Sequence, residues 1–311
     1  MRIRYIFGMA AAAAVAVILS FAGPSFGQNP GGQAKGDQGV GQGIIPPPPG
    51  TAVPNPGQAG AAKGKGKGGK RAPSRPTPHG PDGHVLLGPL PGEHGVWNGG
   101  AGSTLFSNGR GGIDNNLVNA PVNLNIKDVP FQDWARALYE SRRANNTADD
   151  PHVRCKSSGG PRLYHTPYGF EIVDIPEIQR IYLMGVGGPH TWRVVYMDGR
   201  ERPKDIDPSF HGYSIGHWEG EKLVVETTNY NERFWISREG PPHTEYLKMT
   251  ETYERPDYDT LRYVATIDDP GAYTAKWSGG WAIPWNANDE MYEYVCQENN
   301  RDARHMYRGD Q

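Results

Sequence analysis

From Gly169 onward the sequence runs in short stretches of β-branched and aromatic residues, separated by turn-forming ones. No other feature constrains the fold as much. Such stretches read as strands, at 170–174, 180–184, 191–197, 213–219, 222–228, 244–255 and 260–268, with further candidates at 273–277 and 291–296. Asp198-Gly199, Glu219-Gly220-Glu221 and Pro256-Asp257-Tyr258-Asp259 have hairpin chemistry, because Gly and Asp tolerate the backbone angles of tight turns. Regular short strands with polar turns predict a mainly β domain, either an antiparallel sandwich or a small barrel. One amphipathic helix is expected ahead of it. Phe131, Trp134, Ala135, Leu138 and Tyr139 share a helical face, with Asp128 and Pro130 suited to its start and Arg142 and Arg143 to its end.

The chain before this domain has a different composition. Arg2 and Arg4 precede an apolar stretch from Tyr5 to Phe21, and Ser25 and Gly27 place small residues where a signal peptidase reads. This predicts a signal peptide over 1–27 and a periplasmic or secreted address. An uncleaved anchor is the alternative, but the stretch barely reaches the length of a spanning helix. No later segment is apolar enough to span, so the mature protein is not expected to be membrane-embedded. Residues 28–125 are rich in Gly, Pro, Ala and Gln and predict a disordered linker, because too few large apolar side chains are available to offset chain entropy. Lys63, Lys65, Lys67, Lys70, Arg71 and Arg75 make a basic cluster in it. That cluster suits an anionic envelope surface, or is simply a solvated stretch. Residues 28–125 hold eight Lys/Arg against four Asp/Glu, whereas 126–311 hold 22 against 30. A basic arm on an acidic domain makes nucleic acid an unexpected partner for the folded part.

Cys155 and Cys296 lie near opposite ends of the β-rich domain, 126–311. In an oxidising compartment they are expected to form a disulfide; two separate buried thiols are the alternative. No Cys/His spacing suggests a structural metal or redox motif.

The stretch 244–255, read as the longest strand, carries the polar candidates. Alternation puts His243, Glu245, Leu247, Met249, Glu251 and Tyr253 on one face. Its apolar members should point inward, taking His243, Glu245 and Glu251 with them. The following strand alternates Leu261, Tyr263, Ala265 and Ile267 before Asp268-Asp269. An inward carboxylate is costly unless paired or wet, so a polar cavity is expected, or else rim positions open to water. His243, Glu245, Glu251 and Asp269 are candidate acid/base groups. Arg193, His217, Tyr253 and Tyr263 are candidate ligand-binding groups, with Arg193 as an internal cation for the acids or for an anionic guest. If the strand of His217 lies beside 244–255, His217, His243 and Glu245 converge, and imidazole plus carboxylate can hold a divalent metal. No cofactor is implied. Ser158 and Ser214 lack the context of a nucleophile elbow. The dense tryptophans suit core packing or stacking on a flat ligand.

Several of these segments are similar to those of a family of secreted proteins from soil-type bacteria for which no function is assigned. Asp150-Pro151-His152-Val153-Arg154-Cys155-Lys156 resembles its opening. Asp198-Gly199-Arg200 and Gly212-Tyr213-Ser214-Ile215-Gly216-His217-Trp218-Glu219-Gly220 resemble its middle, and Thr266-Ile267-Asp268-Asp269-Pro270-Gly271-Ala272-Tyr273-Thr274 its end. The likeness extends from about Phe131 to Arg304. Many relatives carry Arg at the position of His217, which argues against a catalytic or metal role there. The resemblance implies no substrate. Three functions follow as expectations: a module binding a small polar or flat ligand in a polar cavity, an acid/base hydrolase or lyase, and a structural envelope protein.

Overall fold

The computed structural model describes residues 74–98, 105–106, 124–145, 147–166, 168–187, 191–287 and 289–297. The expected signal peptide and most of the basic cluster lie outside these residues. The folded unit falls within Lys70–Gln311.

It is mainly β, a closed barrel of nine strands in sequence order. The strands are β1 (Val96–Trp97), β2 (Phe170–Ile175), β3 (Arg180–Gly185), β4 (Thr191–Tyr196), β5 (Tyr213–Glu219), β6 (Lys222–Thr228), β7 (Lys248–Asp257), β8 (Thr260–Asp268) and β9 (Trp277–Asn286). Helix α1 spans Asp133–Ala144. Of the two expected architectures the barrel is the one found, and its sheet is mixed. β4 and β5 run parallel, joined by residues 197–212.

Alternation explains most of the wall. In β8, Leu261, Tyr263, Ala265 and Ile267 are buried, while the residues between them are half-exposed. Facing them in register, Met249, Glu251 and Tyr253 of β7 are buried, and so is Arg255 beyond them. A bulge between Glu254 and Asp257 lets the β7–β8 hairpin turn. At the β5–β6 hairpin, Gly220 adopts φ 62°, where a side chain would be strained.

Two differences from the sequence reading matter for the site. First, residues 74–98, which composition assigns to the linker, belong to the folded unit. Val96–Trp97 closes the barrel between β9 and β2, Trp97 donates to the Leu87 carbonyl at 2.6 Å, and Ser74 hydrogen-bonds Asp259 at 2.7 Å. Arg75 of the basic cluster pairs internally with Glu93 at 2.9 Å. A few large apolar side chains, Val85, Leu87, Val96 and Trp97, are enough to order this stretch because the barrel already offers a surface to bury them. Second, β7 begins at Lys248, not at 244, and residues 273–277 and 291–296 are not strands, except that Trp277 opens β9. Residues 245–246 form a turn.

A short 3-10 segment, Gly160–His165, is buried throughout. Leu163 packs where a Cβ on Gly185 would collide with it, so β3 needs glycine there. Tyr164 packs on Phe170, Tyr253 and Tyr263. Burying Leu163 and Tyr164 contributes about 1.5–3 kcal/mol each, which holds this plug in the barrel. The Cys155–Cys296 disulfide ties the start of the plug segment to the C-terminal tail across 141 residues. On α1, Ala135 is buried and Tyr139 half-buried, but Trp134 and Leu138 lie 44% and 37% exposed, so the apolar face is narrower than its periodicity suggests.

Candidate functional site

The polar candidates separate into three groups. The first is inside the barrel. Arg193 of β4 meets Glu251 of β7 across the interior, with Nη1 donating to Oε2 at 2.6 Å. Arg193 Nη2 donates to the Tyr253 hydroxyl at 2.9 Å. Glu251 Oε1 accepts from Tyr253 at 3.1 Å and from Tyr263 at 2.7 Å. The Tyr253 proton is thereby used, so Tyr164 is the donor in the 2.7 Å contact between those two hydroxyls. Arg193 is 3% exposed and Glu251 0%. Four residues chosen from sequence, Arg193, Glu251, Tyr253 and Tyr263, are therefore brought into one network. Burial, the largest single influence, acts to lower the Arg193 pKa, but Glu251 and the surrounding Tyr253, Tyr164 and Tyr230 together outweigh it and hold the guanidinium well above its ordinary value. Burial and the same carboxylate push Tyr253 and Tyr263 well up, so their hydroxyls stay protonated as donors.

Next to this network lie buried polar atoms without a partner in the protein. His165, 2% exposed, packs at a tilt on Trp281 at 4.5 Å between ring centroids, and Trp281 packs on Tyr263 at 5.0 Å. Neither ring nitrogen of His165 has a hydrogen-bond partner, nor does Trp281 Nε1. Arg193 Nε and Thr191 Oγ1 are in the same condition. Burial, and then the charges of Arg162 and Arg238, hold the His165 imidazole well below its ordinary pKa and so neutral. Leaving a buried polar atom unpaired costs about 1–3 kcal/mol. Clusters of such atoms are uncommon and call for an explanation.

The second group is at the rim. His243 is buried, with Nε2 3.0 Å from the Phe234 carbonyl and Nδ1 3.3 Å from that of Thr244. Burial pushes its pKa down, so the neutral ring donates to Phe234. Asp269 accepts from Thr244 N and Oγ1, both at 2.6 Å, and from Gly271 N at 3.0 Å. Both residues spend their capacity on loop backbone, which is why the chain turns at 244–247 and the strand starts late. Glu245 lies in that turn, exposed. The expected inward row of His243, Glu245 and Glu251 is therefore corrected: Glu251 faces the interior, Glu245 faces water and His243 holds a loop. His217 is also corrected. It faces outward from β5 and contacts Glu219 at 3.3 Å, and β6 separates its strand from β7, so it cannot converge with His243 and Glu245. Among the described residues no three His, Cys, Asp or Glu side chains gather as metal ligands.

The third group was missed. Ser157 Oγ lies 2.8 Å from His211 Nε2, and Ser158 Oγ 2.7 Å from His152 Nδ1. Beside them Arg162 pairs with Asp150 at 2.8 Å. Only the succession of Ser and His around Cys155 hinted at this, and the partner His211 is far along the chain. Two serine–imidazole pairs invite a nucleophile reading. The electrostatics argue against it. Burial, then nearby arginines, lower both imidazoles to about 4. A base that resists a proton this strongly activates a hydroxyl poorly. Among the described residues no carboxylate accepts a hydrogen bond from either ring.

An open surface cleft of about 460 Å³ is lined by Glu219, Glu221, Lys222, Glu254, Arg255 and Arg262. Its charges are already in pairs, Glu219 with Lys222 at 3.4 Å and Glu254 with Arg262 at 4.0 Å. The Arg255 guanidinium is held by the carbonyls of Gly88 and Tyr258, both at 2.8 Å. The interior cluster is the stronger candidate, because its polar atoms are both buried and unpaired. No family model, curated protein or solved structure matches the chain.

Proposed function

We propose that this chain is an exported, non-enzymatic β-barrel of the secreted family its motifs resemble, and that it binds a small flat polar molecule inside the barrel. One observation carries the reading: the buried nitrogens of His165 and Trp281 lack partners in the protein, directly beside a network in which every hydroxyl and both charged groups are engaged. A purely structural core would be expected to satisfy those nitrogens or replace them with apolar groups. The rings of Tyr164, Tyr263 and Trp281 pack edge-on beside these atoms and make the surroundings apolar, and the unpaired atoms supply the few polar contacts that orient a guest.

The acid/base reading is weaker. Its four residues are divided among the interior, the rim and the solvent, and the histidines at hand are poor bases. Isothermal titration with three flat probes, benzoate, benzamide and benzylamine, tests the binding reading. At least one should bind with 1:1 stoichiometry, and its affinity should fall about fivefold or more in Trp281→Phe, which keeps the ring wall but removes the indole N–H. Failure of all three to bind would contradict the proposal.

A further inference from the structure

The ladder in the barrel wall beside Arg193 is short. β4 and β5 share two residue pairs, Val195 with Ser214 and Tyr196 with Ile215. By contrast β5 and β6 are paired over all seven residues of each strand. The first part of β4, from Thr191 to Val194, thus has no ladder on its β5 side. Thr191 and Arg193 lie two residues apart, so both face inward from this unladdered stretch. Thr191 Oγ1 and Arg193 Nε are the unpaired atoms they present there. The neighbouring cover is made by residues 157–160 and 210–211. Gly159 packs against the Phe210 carbonyl, Ser157 bonds His211, and the Arg193 charge reaches the His211 ring.

The chemistry of the unpaired atoms is lopsided. Arg193 Nε–H and Trp281 Nε1–H can only donate. The neutral His165 ring donates at one nitrogen and accepts at the other, and the Thr191 hydroxyl does either. Donors outnumber acceptors, so an oxygen-rich guest would satisfy them and an amine would not. Charge points the same way. Glu251 is fully engaged by Arg193, Tyr253 and Tyr263, and the His165 ring sits in the field of Arg162 and Arg238. An ammonium group would find Glu251 already engaged and could not accept from Arg193 Nε–H or Trp281 Nε1–H.

We infer that the guest belongs to the class of flat carboxylates, its oxygens read by Arg193 Nε–H and the Thr191 hydroxyl and its ring lying along Trp281 and Tyr263, with entry through the β4–β5 seam. This rests on the binding reading above and adds the ligand class to it. Arg193 keeps Glu251 and Tyr253 as its partners and offers the guest its Nε–H, so the network need not break for the guest to bind.

The test is competitive titration of the folded protein at pH 7.5 with benzoate, benzamide and benzylamine, repeated on Thr191→Val. This variant is nearly isosteric and removes one unpaired hydroxyl, and its fold is checked by thermal melting. Benzoate is expected to bind at least tenfold more tightly than benzylamine, with benzamide between them. Thr191→Val should weaken benzoate about fivefold, the worth of one hydrogen bond. Benzylamine binding as tightly as benzoate, or benzoate affinity unchanged in folded Thr191→Val, would overturn the ligand class while leaving an interior binding site standing. Binding by none of the probes would overturn both.

Discussion

Two buried polar clusters sit on the same barrel within a few residues of each other, and they end differently. At the rim, His243 and Asp269 direct their hydrogen bonds to backbone groups and a threonine of a single loop. Inside, Arg193 and Glu251 bond to each other and to tyrosines, and the polar atoms next to them bond to no group of the protein. The rim cluster is self-sufficient. It fixes where β7 starts and how the chain turns. The interior cluster is specific but incomplete, and the proposed recognition role rests on that difference. A buried polar residue is thus poor evidence of function by itself; what it is bonded to decides.

The sharpest way to break the contrast is to remove one charge from the interior. Glu251→Gln leaves the Arg193 guanidinium buried without its counter-charge and should cost about 3–5 kcal/mol in urea unfolding. The double variant Arg193→Met with Glu251→Leu should recover most of that loss, because well-packed apolar pairs can replace buried ion pairs. If the single variant melts like the parent, water reaches the pair and the interior is not sealed. At the rim, Asp269→Ala should cost about 1–3 kcal/mol and leave probe binding unchanged, because it unpairs the Thr244 amide and hydroxyl and the Gly271 amide, all in the rim cluster. A loss of affinity in that variant would merge the two clusters.

Acid should act on both groups. His152, His165, His211 and His243 all have folded-state pKa values below that of the unfolded chain. Their contribution is present above about pH 6.5, where the unfolded chain is also neutral at histidine, and is lost as pH falls toward about 4, the value for His152 and His211. The slope is at most about 1.4 kcal/mol per pH unit for each histidine, and less for the partly exposed His152 and His211. Urea midpoints measured from pH 7.5 to 4.5 should fall, and His165→Phe should flatten that slope. A flat profile in the parent would mean that the imidazoles are already solvated.

His165→Phe also separates the clusters by a smaller effect. It removes two unpaired nitrogens from the core and keeps a ring against Trp281, so stability at pH 7.5 should stay within about 1 kcal/mol of the parent or rise. A loss beyond about 3 kcal/mol would show that the ring is bonded in solution. Smallest of all, Glu245→Gln should shift stability by no more than about 0.5 kcal/mol, since the side chain stands in water.

The barrel wall was largely legible because period-2 alternation survives in strands with one buried face. The predicted boundaries of 213–219, 222–228 and 260–268 agree with β5, β6 and β8. The same alternation turned Glu251, Tyr253 and Tyr263 inward together. It misled at 243–247, where a residue-by-residue rule cannot register that Asp269, 25 residues from Thr244, caps a turn there. Three elements leave no periodic trace. β1 is two residues long, the 160–165 plug is a 3-10 segment buried all around, and His211 meets Ser157 only through the fold. His165 and Trp281 were therefore unreadable as a pair, although Trp281 stood among the noted tryptophans. The parallel β4–β5 step was hidden for the same reason, because strand direction depends on where the intervening residues travel.

The most direct test of an interior recognition site uses the indole N–H signals of the tryptophans in a two-dimensional ¹⁵N–¹H spectrum. Trp281 is buried beside His165, whereas Trp192 is 59% exposed on the outer face of β4. Saturating benzoate should move the Trp281 indole resonance and leave that of Trp192 in place. Movement of Trp192 with Trp281 unchanged would place binding on the barrel's outer surface and contradict the account.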